Sequence, residues 1–283
     1  MVKKYFLFAA LVCGVFLFGC GGGGGSIGGT TGSVSFAITD SKPALPAGIK
    51  RVVVTINEVM VHQSGGEWIS LPLAQTPFTI DLLQFTDGRT SQLVPQSTLT
   101  SGKYTQVRLG VQSAVIVTDT GQQIPAEIAS GDLKTDKNFD FDVKGGGAVA
   151  LTVDFDLSQS LIVTGSDKYK LKPVLHILST EEAATITGSI AAATYGAETQ
   201  ATIIVTQDSD TSGGHSQGDQ EYTRLVVNKA PSGPALFSIY WLVPNQAYIV
   251  EVQIGGVIVY YQYVAKTSLP AAARYPLNSD SPI

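Results

Sequence analysis

The stretch Asp208-Ser209-Asp210-Thr211-Ser212-Gly213-Gly214-His215-Ser216-Gln217-Gly218-Asp219 has the oxygen-ligand spacing of a twelve-residue calcium loop. Acids stand at places 1, 3 and 12, with Ser at 5 and Gly at 6. Asp208, Asp210, Ser212, the Gly214 carbonyl and Asp219 are the ligands this spacing offers to Ca²⁺. His215 stands where such loops carry an apolar residue, and Asp219 where they carry a bidentate Glu. A polar hairpin loop rich in Ser, Gly and Asp explains the same composition without a metal, so both readings stay open. Four further acids alternate with apolar residues. Asp140 and Asp142 interleave with Phe139, Phe141 and Val143, and Asp154 and Asp156 with Val153, Phe155 and Leu157. Period-two alternation sends all four carboxylates away from a core. If Lys144-Gly145-Gly146-Gly147 joins the two segments as a hairpin, two acids meet across the ladder. That geometry serves a cation or a paired-carboxylate hydrolase. A solvated strand face balanced by Lys134, Lys137 and Lys144 explains it as simply.

The remaining chemistry-bearing residues are sparser. His62, His176 and His215 are isolated and lack the spacing of a zinc site. Tyr240 and Trp241, then Tyr261 and Tyr263, offer a ligand-contact patch that would stack on sugar rings or seat a protein partner, unless the rings fill a core. A Gly-x-Ser-x-Gly match at Gly24 to Gly28 lies in glycine-rich low-complexity sequence, not between a strand and a helix, and is set aside. No phosphate-cradling glycine loop, zinc-protease helix or redox cysteine pair is present in the sequence. The expectation is therefore a protein that is not an enzyme.

The elements that must position these residues are strands. The 283 residues are 44% hydrophobic and 14% charged, a composition that buries substantial cores. Alternation and β-branched residues dominate, and amphipathic helical stretches of more than two turns are missing, so the class expected is all-β. Predicted strands run over 33–39, 51–62, 67–71, 78–83, 103–118, 138–144, 148–157 and 169–178, with a helical turn at 93–99 around Pro95. A boundary is expected near 179–184, followed by strands over 185–191, 201–207, 222–228, 235–242, 247–254 and 257–264. Short strands at this spacing predict two β-sandwich domains of transthyretin or immunoglobulin type, at 33–180 and 185–283.

Residues 1–19 read as an export signal: Lys3 and Lys4 form a basic start, Tyr5 to Phe18 an apolar run too short to span a membrane, and Leu17-Phe18-Gly19 a cleavage region before Cys20. Leu17, Gly19 and Cys20 resemble the lipobox of bacterial lipoproteins, with Phe18 where a small residue is usual. That resemblance implies a diacylglyceryl-modified, acylated Cys20 holding the mature chain to membrane lipid. The other cysteine, Cys13, falls in the discarded segment, so no disulfide is expected. Residues 20–32 read as a lipidated cysteine followed by a glycine-rich tether. Gly21 after the cysteine implies, by the same resemblance, a cell-envelope location, at the outer membrane in a Gram-negative cell. Without Lys3 and Lys4 the chain holds 16 basic against 23 acidic residues, a net of −7, with the basic ones dispersed. This argues against nucleic acid as a partner and leaves an envelope protein or glycan.

Two further resemblances rest on particular segments. Gly32-Ser33-Val34-Ser35-Phe36-Ala37-Ile38-Thr39-Asp40, Leu82-Leu83, Gly102-Lys103-Tyr104-Thr105-Gln106-Val107-Arg108-Leu109 and Leu151-Thr152-Val153-Asp154-Phe155-Asp156 resemble the bacterial lipoprotein family of domain of unknown function 4382. The likeness extends over about residues 32–180 and implies a β-sandwich without a known activity. Ile186-Thr187-Gly188-Ser189-Ile190 and Leu242-Val243-Pro244-Asn245-Gln246-Ala247-Tyr248-Ile249-Val250 are similar to carboxypeptidase-regulatory, transthyretin-like sandwiches, with Pro244-Asn245 in place of the usual Pro-Gly. Together these readings imply a lipid-anchored binding or scaffolding protein. An envelope hydrolase using outward carboxylates such as Asp140 and Asp154, or a purely structural spacer, are the competing expectations.

Overall fold

The computed structural model describes residues 30–41, 43–128, 132–134, 139–165, 168–278 and 281–283. The export signal, Cys20, the tether up to residue 29 and Lys137 lie outside the described residues. In chain order the elements are β1 (Thr31–Thr39), β2 (Ile49–Gln63), β3 (Trp68–Leu71), β4 (Phe78–Asp81), β5 (Ser91–Thr100), β6 (Gly102–Thr118), β7 (Gln123–Pro125) and β8 (Glu127–Ile128). They continue as β9 (Asp132–Lys134), β10 (Phe141–Val143), β11 (Ala148–Phe155), the one-turn helix α1 (Leu157–Ser160), β12 (Leu161–Gly165), β13 (Lys168–Leu171) and β14 (Leu175–Ser179). The last are β15 (Ala184–Ile190), β16 (Gln200–Asp208), β17 (Gln220–Asn228), β18 (Ala235–Leu242), β19 (Ala247–Ile254), β20 (Val257–Val264) and β21 (Arg274–Pro276). The fold is all-β, as the alternation predicts.

Alternating apolar residues gather these strands around two cores. Sheet β14-β11-β1-β5 and the larger sheet β10-β6-β2-β3, to which β4, β7 and β9 attach, enclose the first. Val34, Phe36, Ile38, Leu151 and Val153 enter it from one sheet, and Val54, Ile56, Leu109 and Ile116 from the other. The central pair is parallel, with Ile38 opposite Val153. Sheets β18-β15-β21 and β17-β16-β19-β20 contribute to the second core, which holds Ile186, Ile239, Ile203, Val205, Val250 and Val252. Gly32 belongs to β1 and not to a tether. A Cβ there would lie 2.4 Å from the Lys144 carbonyl oxygen, so only glycine lets the strand approach that closely.

Three sequence expectations are corrected. Residues 93–99 are strand β5, not a helical turn; β5 is the end strand of its sheet, where Pro95 sacrifices no ladder bond. The stretch from 169 to 178 is two strands, because Lys172-Pro173-Val174 breaks it and sends β13 and β14 into different sheets. Finally, β10 and β11 are not a hairpin. β10 pairs with β6, β11 pairs with β1 and β14, and Lys144 to Gly147 carries the chain from one sheet to the other.

Phe36 is fully buried and meets the edge of Phe141 at 6.5 Å between ring centroids. Phe36→Ala is expected to cost about 3–5 kcal/mol, read as a lowered midpoint in equilibrium urea unfolding.

Candidate functional site

The two cores meet through polar groups, and three carboxyls lie at that junction. Asp40 follows β1, Asp154 sits in β11 and Asp156 precedes α1; all three are buried. The outward expectation for Asp154 and Asp156 is therefore wrong. Alternation did place Leu151, Val153 and Phe155 in the first core. The other face of β11 is also covered, because the second half of the chain closes over it. Thr223 of β17 bonds Ser41 (Oγ to Oγ, 3.2 Å), and Ser41 donates to Asp154 Oδ2 (3.4 Å). Ser158 Oγ donates to the Arg224 carbonyl (2.9 Å), and Gln159 Nε2 to the Tyr222 carbonyl (2.9 Å). His176, the cross-strand partner of Asp154, stacks on Tyr222 with centroids 4.2 Å apart.

Each carboxyl is held differently. Asp156 caps α1: its Oδ1 accepts from the Gln159 amide (3.1 Å) and its Oδ2 from Gln159 Nε2 (2.8 Å). Asp40 Oδ1 accepts from the Leu157 amide (3.2 Å). Asp40 Oδ2 and Asp154 Oδ1 are buried without a hydrogen-bond partner among the described residues. Burial pushes the Asp154 carboxyl up to about 8, with the charge of Asp156 adding to the effect. Burial also lifts Asp40 well above the carboxylate range, reinforced by Asp154, and raises Asp156 against the opposing hydrogen bonds from Gln159. Asp140 stays outside this group. It pairs with Lys103 at 2.7 Å on an exposed surface beside β10, so the structure does not assemble Asp140 and Asp154 into one hydrolytic pair.

The 208–219 loop joins β16 to β17. One carboxylate oxygen from each of Asp208, Asp210 and Asp219 lies within 4.8 Å of the others. The loop's own donors already serve these oxygens. Asp208 accepts from the amides of Asp210 (3.2 Å) and Gly213 (2.8 Å), and Asp219 from those of Ser209 (2.8 Å) and Ser216 (2.7 Å). Ser212 Oγ donates to the Gly214 carbonyl (3.0 Å), so these two predicted ligands are engaged with each other. Hydrogen bonds from Ser212 hold Asp210 below the usual carboxylate range, and the Ser209 and Ser216 amides do the same for Asp219. His215 Nε2 sits 3.1 Å from Glu251 Oε1, and the Tyr261 hydroxyl donates to the Gly213 carbonyl.

The four aromatic residues do not form one patch, because their strands belong to different sheets. Tyr261 and Tyr263 lie on β20 and brace the calcium-like loop; the Tyr263 hydroxyl is 3.5 Å from the Thr211 carbonyl. Tyr240 and Trp241 lie on β18 and face the junction. A Cβ at Gly88 would come 2.9 Å from the Tyr240 ring, and the Trp241 carbonyl accepts from the Tyr222 hydroxyl (2.7 Å). His62 packs on Trp68 with centroids 5.1 Å apart, far from a shared histidine site in the chain's topology.

Sequence reasoning left Asp40 without a role and misplaced Asp156. One signal was available: Asp156-Leu157-Ser158-Gln159 has the Asp-x-x-Gln form of a capping box, which marks a helix start and not an exposed strand end. For Asp40 no local signal existed, since its neighbours arrive from β11 and α1, more than a hundred residues later.

A family profile described as "Domain of unknown function (DUF4382)" matches residues 31–173. No curated protein matches the chain. Among solved structures, a leucine-rich repeat protein from Bacteroides thetaiotaomicron is 12% identical, with 88% of this chain aligned to 26% of that one at a TM-score of 0.20. The chain thus spans about a quarter of that protein's length. The fimbrial anchor protein Mfa2 from Porphyromonas gingivalis is 8% identical over 81% of this chain and 82% of that one, at a TM-score of 0.21. At such scores neither likeness carries weight for topology or function.

Proposed function

The chain belongs to the family of domain of unknown function DUF4382, and from that premise we propose that it is a lipid-anchored binding protein of the bacterial cell envelope, working by contact and not by catalysis. In this reading, two β-sandwich modules at 33–180 and 185–283 stand on a tether from Cys20. The basic start, short apolar run and Leu17-Phe18-Gly19-Cys20 support export and lipidation. The second module is of transthyretin-like kind. Supporting this, Asn245 turns the chain with φ 58°, and buried Tyr248 reaches back so that its hydroxyl meets the Val243 amide (3.0 Å) and carbonyl (3.2 Å).

The observation that carries the binding reading is strand β20. It is the end strand of its sheet, and its sequence VIVYYQYV has no charge and no proline. Val257, Ile258, Val259 and Tyr261 are 64%, 51%, 41% and 42% exposed. The register with β19 shifts at Val259, between the Tyr260–Val252 and Ile258–Gln253 pairs, but the edge carries neither lysine nor proline, and an apolar edge of this kind is a template for a further strand. The partner chemistry this fits is an extended apolar segment of another envelope polypeptide, added by backbone pairing beside the exposed Val257, Ile258, Val259 and Tyr261. The calcium reading of the 208–219 loop is a second proposal, supported by the convergence of Asp208, Asp210 and Asp219. There Ca²⁺ would displace the amide donors that now hold the three carboxylates.

Two experiments test these proposals. Protein extracted from its native membrane is expected to carry diacylglyceryl and acyl mass on Cys20, and a photocrosslinker at Val259 to capture one envelope polypeptide, lost in Val257→Lys/Val259→Lys. Unlipidated mass, or crosslinks to lipid or glycan alone, would contradict the reading. For the loop, millimolar Ca²⁺ is expected to raise the Tm of the full chain by a few degrees, and Asp210→Asn to abolish the rise. An unchanged Tm would leave the segment a plain hairpin loop.

A further inference from the structure

The polar junction between the two cores has an unusual charge balance. Asp40, Asp154 and Asp156 are buried together, and two of their oxygens, Asp40 Oδ2 and Asp154 Oδ1, meet no donor among the described residues. Among the described residues, the charged groups facing them from the surrounding elements do not compensate. From β17, Arg224 is held by Glu221 through two bonds of 2.7 and 2.6 Å. From β14, His176 Nε2 is 2.9 Å from the Tyr222 carbonyl, and its ring stacks on Tyr222. Tyr222 itself, with Tyr248 of β19 against its ring, completes the β17 and β19 side. From the turn after β4, Asp87 adds another acid beside Asp40 in a shared cavity, and Arg89 Nε donates to the Thr86 carbonyl (3.2 Å). α1 brings no charged side chain, only the Leu157 amide, Ser158 and Gln159.

A buried carboxylate with one oxygen unserved and no counter-ion is disfavoured in its charged form, and such a group is neutralised by a proton or a cation. The geometry favours the proton. The described acids that converge within 4.8 Å, close enough to hold one metal, are Asp208, Asp210 and Asp219; the junction trio does not converge so tightly. The cavity beside Asp40 and Ser41 measures about 10 Å³, the size of a single water, and is also lined by Trp241, whose buried indole Nε1 has no acceptor. An N–H donor there is unsuited to a cation.

We propose that the junction is a proton-held latch: Asp40 and Asp154 close the two halves of the chain together in their neutral forms, Asp156 carries the one tolerated charge, and alkaline solution releases the contact. Asp156 is suited to the charge because Gln159 gives it two donors. Asp40 and Asp154 are the acids with an unserved oxygen. The direction of the pH effect follows. An acid that binds its proton more tightly when folded contributes stability that is complete below the ordinary carboxylate value and is lost as pH rises, for Asp154 through about 8.

The test is thermal unfolding of the full chain in chelator across pH 6 to 9. The wild type is expected to lose about 5 °C or more over this range. Asp154→Asn, which copies the neutral acid, should keep most of that Tm at pH 9; Asp40→Asn serves as the second variant should the first fail to fold. A Tm that is flat or rising with pH would overturn the latch, as would a lowered Tm at pH 9 in both variants. So would recovery of the alkaline loss by Ca²⁺ in an Asp210→Asn background, which would assign the junction to a cation.

Discussion

Over the C-terminal half of β11 the second face is as buried as the first, and most of the molecule's organisation follows from that. On one side Leu151, Val153 and Phe155 join the first core. On the other, Thr152 and Asp154 are buried: Thr152 meets Thr180 (2.9 Å), and around Asp154 stand Ser41, His176 and, through them, Tyr222 and Thr223 of β17. A strand in that position would ordinarily be apolar throughout. Here it carries an acid into a low-dielectric contact, and the hydroxyls, amides and backbone carbonyls around it are arranged by that need.

The polar character of the junction has a structural consequence. The two cores form separate clusters, and the contact between them is rich in polar groups: Ser41, Ser158, Gln159, Thr223 and the three carboxyls, beside the stacked rings of His176 and Tyr222. Each core is therefore complete without the other, while their relative position depends on hydrogen bonds that tolerate little change of charge. At β20 the balance is reversed: apolar side chains face solvent on the end strand of a sheet. One contact is polar and closed; the other is apolar and open.

Much of the fold was legible in the sequence because strands announce themselves locally. β2, β6 and β16 to β20 follow the alternation of Val, Ile and Thr, with Gly255-Gly256 marking the turn before β20. What alternation cannot reveal is whether the polar face of a strand meets water or another part of the chain. Asp154 and Asp140 occupy equivalent places in the pattern, yet one is buried against β17 and the other pairs with Lys103 at the surface. The converging acids of the 208–219 loop were legible because their spacing is local. The junction was not, because Asp40, Asp154 and Thr223 are brought together only by the packing of distant segments. The same limit explains why Tyr240 and Tyr261 looked like one aromatic patch: sheet membership separates them, and it is decided by pairing with β15 and β19.

The most direct measurement is the ionisation of Asp154 itself, followed by carbon-13 NMR of its carboxyl in the folded chain. If the second half of the molecule seals β11 as described, that carboxyl titrates near 8. A value in the ordinary carboxylate range of about 4 would mean that water or a counter-charge reaches it, and that the junction is not the closed contact on which this account rests.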